Sequence, residues 1–121
     1  MNNDEENIVW FAMRAPFCKE LEAKRLLDKQ AIENFVPMCY KVFEKNNKKR
    51  RELVPAVHNL IFVRTTRRII RETKRTVPFL QYITMPDAGK NSPIIVPDIQ
   101  MQQFISVSRL HNERLIYLTP E

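Results

Sequence analysis

Glycine is almost absent from this chain of 121 residues, in which Gly89 is the single example. Loops that cradle phosphate groups need several glycines at fixed spacing, so P-loop and dinucleotide-binding enzymes are excluded. Histidine is nearly as scarce, and neither His58 nor His111 has a second metal-binding side chain beside it at the spacing of a zinc site. Motifs such as G-x-S-x-G and H-E-x-x-H do not occur. We therefore predict a protein that is not an enzyme and that binds no metal or cofactor.

Cysteine is also scarce, since Cys18 and Cys39 are the only two. A disulfide between them stays open on sequence alone, but a chain with an adequate core more often keeps such thiols reduced and buried. A second open alternative is that Cys39 and His58 form a nucleophilic pair. A buried structural cysteine is the simpler interpretation of Cys39. Residues 1–7 are polar and acidic, and no apolar run reaches the roughly 18 residues of a membrane span. We expect a cytoplasmic protein with no membrane contact.

Positive charge is what the sequence has in excess, because 20 Lys and Arg outnumber 14 Asp and Glu. The resulting pI near 9.6 favours polyanionic partners. Much of the excess lies in two clusters, at residues 45–51 and 64–75. Apolar residues make up 44% of the chain, which is enough for one hydrophobic core at this length. One folded domain is therefore expected.

Secondary structure is predicted from short apolar stretches and from helical spacing. Stretches of β-favouring composition predict strands at residues 8–15, 34–44, 53–63 and 79–85. Apolar residues at helical spacing predict helices at residues 18–29, at residues 67–75 and from Pro97-Asp98 onward, the last with a stripe of Met101, Phe104, Ile105 and Ser108. The polar run between the second and third strands predicts the tip of a long hairpin. This order predicts an α+β fold, an antiparallel sheet of about four strands flanked by about three helices.

Three blocks of sequence follow one another along the chain. They read W-F-A-M-R at residues 10–14, V-H-N-L-I-F-V at residues 57–63 and I-I-V-P-D at residues 94–98. Together with the hairpin and with T-V-P-F-L-Q-Y-I at residues 76–83, these blocks resemble the N-terminal domain of NusG-type transcription factors. The resemblance covers residues 9–108 and implies that domain's α+β sandwich.

The second block departs from the common family pattern. In most of the family it reads F-P-G-Y-L-F-V, so that Val57, His58, Asn59 and Leu60 stand here in place of Phe, Pro, Gly and Tyr. The variant N-L-I-F-V-R, followed later by V-P-D-x-Q-M-Q-x-F, looks most like the specialised branch called UpxY, whose members regulate capsular polysaccharide operons. The resemblance therefore implies a specialised paralogue.

The resemblance also implies a division of the chain. Residues 1–7 are expected to be a disordered N-terminal extension, and residues 8–110 are expected to be the NusG N-terminal domain. Residues 111–121, with a strand-like stretch at residues 115–118, are expected to be a linker or the start of a truncated C-terminal KOW domain.

In this family the N-terminal domain docks on the clamp helices of the largest RNA polymerase subunit and suppresses pausing or termination. The resemblance implies an elongation and antitermination role of this kind at capsular polysaccharide operons. Upstream or nontemplate DNA is a second implied partner, and an inhibitory regulator protein is a third. Two alternatives stay open: a housekeeping NusG elongation factor, and a small basic module that binds RNA or DNA directly.

The family's polymerase-binding surface corresponds by position to a set of mostly apolar residues. These are Val57, His58, Leu60, Phe62, Met85 and Met101. Successive side chains of a strand point to opposite faces, so Leu60 and Phe62 lie on one face and Ile61 and Val63 on the other. One pair packs on helices, and the other pair needs another surface to cover it. A concave apolar patch suited to a helix pair is the expected result. The alternative is that Leu60 and Phe62 are core residues covered by the chain's own helix.

Two basic segments are candidate nucleic-acid contacts. The hairpin tip contributes Lys48, Lys49, Arg50 and Arg51, whose charges suit DNA phosphates. The second predicted helix contributes a basic face made of Arg67, Arg68, Arg71, Lys74 and Arg75. The resemblance directs the hairpin toward upstream DNA and the helix toward the nontemplate strand. For both segments the alternative is a solvated charged surface.

Overall fold

The computed structural model describes the backbone of residues 3–118 and the side chains of residues 5–110. This part of the chain contains the strands β1 (Val9–Arg14), β2 (Glu33–Phe35), β3 (Met38–Lys45), β4 (Lys48–Pro55), β5 (Leu60–Thr65), β6 (Gln81–Tyr82), β7 (Thr84–Asp87), β8 (Lys90–Pro93) and β9 (Ile95–Val96). Its helices are α1 (Glu20–Lys29), α2 (Arg67–Thr76) and α3 (Asp98–Leu118), preceded by a 3-10 helix at Asn3–Glu6. Three helices with antiparallel sheets confirm the predicted α+β fold.

The main sheet is antiparallel and has β1 at its centre. β5 pairs with one edge of β1, and β2 pairs with the far edge of β5. β6 and β9 share the other edge of β1, with β6 opposite Met13 and Arg14 and β9 opposite Trp10 and Phe11. A strand with neighbours on both edges has partners for its backbone groups. This central position suits the mostly apolar sequence of β1.

One face of the main sheet forms the hydrophobic core with α1 and α2. Phe11 and Met13 of β1 and Ile61 and Val63 of β5 belong to it, and each is at most 1% exposed. The helices add further buried side chains, namely Ala23 and Leu27 from α1 and Ile70 from α2. Burying one large apolar side chain in this way contributes about 1.5–3 kcal/mol. The core therefore holds both helices on this face.

Helix α3 covers part of the opposite face. It contacts β1 and β3. Of its predicted stripe, Met101 is buried, Ile105 and Ser108 are half-buried, and Phe104 is 39% exposed. On the same side of the sheet Trp10 is buried in β1. The sheet therefore lies between α1 and α2 on one face and α3 on the other.

Two hairpins accompany the main sheet. β3 and β4 pair along their whole lengths and are joined by Asn46 and Asn47. Both asparagines have positive φ, 56° and 63°, as in a type I′ turn, which favours asparagine and glycine. The second hairpin, β7 and β8, turns at Ala88 and Gly89, which also have positive φ, 51° and 79°. The single glycine therefore lies in a turn that requires positive φ.

Three of the predicted strands are divided in the structure. Residues 34–44 divide near Pro37 into β2 of the main sheet and β3 of the hairpin, and residues 79–85 divide into β6 and β7. Residues 53–63 belong in part to β4, which ends at Pro55, and in part to β5 of the main sheet. Proline cannot donate a ladder hydrogen bond, which explains two of the breaks. The second arm of the hairpin is therefore β4 alone.

Both ends of the chain differ from expectation where they are described. The extension of residues 1–7, expected to be disordered, contains the 3-10 helix at Asn3–Glu6, which contacts α2. Its first two residues, and residues 119–121 at the other end, lie outside the described residues. The strand prediction for residues 115–118 is wrong, because α3 continues to Leu118. An established helix adds residues cooperatively, which outweighs a local preference for strand.

Across residues 3–118 no helix combines the length and apolar character that crossing a membrane requires.

Both cysteines are free thiols. Cys18 is exposed and Cys39 is half-buried, so the expectation of two buried thiols is wrong. Cys18 follows β1 in a loop with positive φ, and its Sγ lies 3.9 Å from Nδ1 of His58. The thiol beside the histidine is therefore that of Cys18, and not that of Cys39.

Candidate functional site

The candidate docking strand, β5, alternates strictly between two environments. Ile61, Val63 and Thr65 are buried, whereas Leu60 and Phe62 are half-buried together with Arg64. This alternation follows from the two-residue period of a strand. Leu60 and Phe62 therefore share the face that is turned away from the α1 and α2 core, as the sequence pattern indicated.

The chain's own helix covers one part of that face. The ring of Phe104 on α3 packs edge-on against Phe62 at 5.8 Å between centroids, and against Phe35 of β2 at 5.7 Å. Arg64 lies within 3.8 Å of Asp98 at the start of α3. Edge-to-face ring pairs of this kind add about 0.5–1.5 kcal/mol to packing. Phe62 is thus partly used by α3, and Leu60 lies at the end of β5 beyond these contacts.

The loop before β5 is held by Asn59, which has a φ of 69°. The Oδ1 of Asn59 accepts a hydrogen bond of 2.9 Å from the backbone N–H of Cys18, and its backbone oxygen accepts one of 2.8 Å from Ala15. Asparagine is the residue that best replaces glycine at positive φ, because its short polar side chain bonds locally. This explains why asparagine can stand where the family pattern has glycine.

A buried carboxylate completes the anchoring of this loop. Glu20, in the first turn of α1, is 2% exposed, and its Oε2 accepts a hydrogen bond of 2.7 Å from the backbone N–H of Asn59. Hydrogen bonds to a charged group are stronger than neutral ones. Sequence reasoning missed Glu20. The available signal was its spacing, because Glu20 continues the buried stripe of Ala23 and Leu27.

The anchored loop presents exposed side chains. Val57 is 50% exposed, and His58 is exposed beside Cys18. Phe17, the neighbour of Cys18, is 88% exposed and has a positive φ of 61°. An aromatic ring with this exposure is unusual in a small folded domain. We call Phe17, Cys18, Val57 and His58 the loop cluster. Sequence reasoning did not assign Phe17 and Cys18 to this surface, because residue type alone does not show that a side chain is exposed.

The six residues assigned to the polymerase-binding surface do not all come together. Val57, His58, Leu60 and Phe62 follow one another along the loop and β5. Met85 is 50% exposed on β7, which lies on the other side of β1 from β5. Met101 is 1% exposed, so its side chain is not presented to a partner. The assignment of Met101 to the exposed binding surface is therefore corrected. This flexible side chain fills the space between α3 and the sheet.

The basic residues of the long hairpin divide between its two faces. Because β3 and β4 are in register, opposite residues share a face and successive residues alternate. One face carries Lys41, Lys45, Lys48 and Arg50 around Phe43, with Glu52 as its single acid. The other face carries Lys49 and Arg51 with Glu44. The assumed tip of four basic residues is therefore a turn of two asparagines, beside one strongly basic face and one weakly basic face.

Helix α2 carries the second basic segment, and two of its arginines are paired within the chain. Nε of Arg68 lies 2.9 Å from Oε1 of Glu6, and both outer nitrogens of Arg71 bond the carboxylate of Glu5. These hydrogen bonds hold the pKa of the Glu5 and Glu6 carboxyl groups below their usual range and raise the pKa of both arginines. Nζ of Lys74 lies 4.1 Å from the centre of the Tyr82 ring.

Metal chemistry has no support in the described side chains. Among them, no group of three or more His, Cys, Asp or Glu is arranged to hold a metal ion. The candidate functional surfaces in the described part of the chain are an apolar strand end with its loop cluster, a basic hairpin face and a basic helix.

A comparison with protein-family models matches residues 8–105 to the family described as transcription termination factor NusG. A search of the curated proteins finds no significant match. The matched segment begins just before β1 and ends within α3, so it spans the sheet, the long hairpin and the loop cluster. This family consists of transcription elongation and antitermination factors that bind RNA polymerase, and it is not a family of enzymes. The chain belongs to the NusG family of transcription factors.

Proposed function

We propose that this chain is an elongation and antitermination factor that docks on the clamp helices of the largest RNA polymerase subunit. The observation that carries the proposal is the half-buried apolar end of β5, where Leu60 adjoins the exposed Val57 and His58 on a loop fixed by Asn59. A rigid apolar surface suits the apolar sides of a helix pair, since little side-chain or loop freedom is lost on binding. Phe62 extends this surface toward α3.

Two further residues of the family surface have different roles in this proposal. Met85 is an exposed apolar side chain on β7, which belongs to the second hairpin and does not pair with β5. Met101 contributes indirectly, because it holds α3 against the sheet and so helps to shape the covered end of the face. The core of the docking surface is therefore Val57, His58, Leu60 and Phe62.

We propose further that the chain acts in the cytoplasm as a specialised factor of the UpxY type, at capsular polysaccharide operons. The support is the sequence variant itself, N-L-I-F-V-R followed by V-P-D-x-Q-M-Q-x-F. The structure adds that Asn59, at the variant position, makes one side-chain and two backbone hydrogen bonds in addition to having a positive φ. The variant loop is therefore a defined structure that differs chemically from the common glycine form.

Deleting the gene and measuring all transcripts tests this function. A specialised antiterminator is expected to change one operon, with transcript levels falling severalfold with distance from the promoter. Expression of the Leu60→Asp variant should fail to restore them. Changes spread over many unrelated transcripts would identify a housekeeping elongation factor instead. Unchanged transcripts everywhere would contradict both assignments.

The basic face of the hairpin, with Lys48 and Arg50, is the proposed contact to upstream DNA. Each phosphate contact releases counterions, so removing two contacts is expected to reduce the slope of log affinity against log salt by about 2 on duplex DNA. The Lys48→Gln/Arg50→Gln variant should therefore bind duplex DNA roughly ten-fold more weakly at low salt. The measurement is fluorescence anisotropy over a salt series.

The matched control for this variant is Lys49→Gln/Arg51→Gln, which removes the same net charge from the other face. It should weaken binding much less. Equal losses would mean that the hairpin acts only through net charge. The competing function, a basic module that binds nucleic acid directly, is favoured by the net charge of +6. It would be supported by tight binding of free duplex near physiological salt together with no binding of polymerase.

A further inference from the structure

The acidic 3-10 helix and the basic helix α2 meet through two ion pairs on the molecular surface. Glu6 approaches Arg68, with contacts of 2.9 Å to Nε and 3.5 Å to one outer nitrogen. Glu5 uses both carboxylate oxygens on the two outer nitrogens of Arg71. All four side chains remain half exposed to solvent. The two pairs are thus side by side and open to exchange with other anions.

The geometry of these pairs is that of phosphate recognition. Arg68 and Arg71 are three residues apart on α2, so they project from one face of the helix. A guanidinium that binds both oxygens of a carboxylate presents the same fork to a phosphate group. Glu5 and Glu6 therefore engage the two guanidinium groups in the way that a phosphate group would engage each of them.

We propose that Glu5 and Glu6 are a built-in competitor that a single-stranded nucleic acid displaces when its phosphates bind Arg68 and Arg71. This inference rests on the contact of α2 with the nontemplate strand that the family resemblance implies, which we include in the proposed function. Solvent-exposed ion pairs are weak, so a polyanion with several phosphates can replace them. The acidic segment lowers the affinity of α2 for nucleic acids that offer only one or a few phosphates. A single strand held close to α2 offers several phosphates and can still displace the acids.

Lys74 lies three residues beyond Arg71 on α2, and its ammonium group packs over the ring of Tyr82, a contact that does not involve Glu5 or Glu6. No carboxylate is part of this contact, and Tyr82 is half-buried. A displaced acidic segment would therefore leave a row of three cationic groups, Arg68, Arg71 and Lys74, at successive helical turns. Such a row can follow the phosphates of a flexible strand.

Binding of a labelled single-stranded DNA oligonucleotide to the full chain tests the competitor. The Glu5→Gln/Glu6→Gln variant is expected to bind roughly 3- to 10-fold more tightly than the unaltered chain at low salt, with a salt slope steeper by about one to two ions. The matched control is Glu22→Gln/Asp87→Asn, which removes the same charge from exposed positions on α1 and β7. It should change affinity much less. A duplex of the same sequence shows whether the effect belongs to the flexible strand.

The arginine variant Arg68→Gln/Arg71→Gln separates the possible outcomes. In the background of Glu5→Gln/Glu6→Gln it should remove the gain in affinity. Equal tightening by the acidic variant and its control would overturn the competitor. An unaltered affinity of the acidic variant would also overturn the competitor. In that case, weaker DNA binding by the arginine variant would still support the α2 contact itself. If neither the unaltered chain nor the acidic variant binds single-stranded DNA at low salt, the proposed α2 contact fails as well. Thermal unfolding of each variant confirms that it is folded.

Discussion

Replacing Leu60 with aspartate is expected to abolish co-elution of the chain with core RNA polymerase. Leu60 is half-buried at the end of β5, on the face that points away from the core. A carboxylate at this position would lose its water against an apolar partner without gaining an opposite charge. Substitutions of this kind at the centre of an interface cost about 2 kcal/mol or more, which corresponds to roughly a 30-fold weaker Kd. Size-exclusion chromatography and a titration by anisotropy both measure the effect.

Leu53 offers a matched control for this substitution. It is 47% exposed on β4 of the long hairpin, so Leu53→Asp makes the same chemical change outside the proposed surface. Val57→Asp is a second test, since Val57 is 50% exposed in the loop and contributes little to the core. Both test variants should keep the melting temperature within a few degrees of the unaltered chain. Unchanged co-elution of Leu60→Asp and Val57→Asp would overturn the docking surface.

Phe62 is a less informative position for the same test. Its ring packs against Phe104 of α3, so Phe62→Asp is expected to disturb α3 as well as any partner contact. Phe62→Leu keeps an apolar side chain and removes mainly the ring pair. The structure therefore assigns the sharper test to Leu60, although both residues looked equivalent in the sequence.

Most of the main sheet could be predicted because its apolar patterns are local. The alternation along β5 correctly separated Ile61 and Val63 from Leu60 and Phe62. The breaks were harder to predict. Position 59 needs positive φ, and asparagine permits this conformation without requiring it, so the end of one strand and the start of the next were joined. Pro37 lies between β2 and β3, but its effect on pairing depends on which strand pairs with which, and the sequence does not show that.

The distribution of charge could not be predicted because it depends on register and on tertiary contacts. The two-residue turn at Asn46 and Asn47 determines which basic residues share a hairpin face. The pairing of Arg68 with Glu6 joins residues 62 positions apart in the sequence. A basic helix read from sequence alone looks fully available to DNA. The structure shows it already partly neutralised by the chain's own acids.

Replacing Met101 with alanine is expected to destabilise the fold, and not to weaken polymerase binding of the folded protein. Met101 is 1% exposed on α3, on the side that contacts β1. Removing such a side chain leaves a cavity and costs about 2–5 kcal/mol. In a domain of this size, that corresponds to a melting temperature lower by roughly 10 °C or more. Calorimetry measures this shift directly.

Met101→Leu separates packing from binding, because it keeps the volume and apolar character of the side chain. It should cost less than about 1.5 kcal/mol and leave polymerase binding unchanged. Binding of Met101→Ala is measured at low temperature, where its folded fraction is high, and should equal that of the unaltered chain. If Met101→Ala instead binds more than ten-fold more weakly with an unchanged melting temperature, then α3 opens in the complex and Met101 contacts the polymerase directly. The closed packing of α3 against the sheet would then describe the free chain alone.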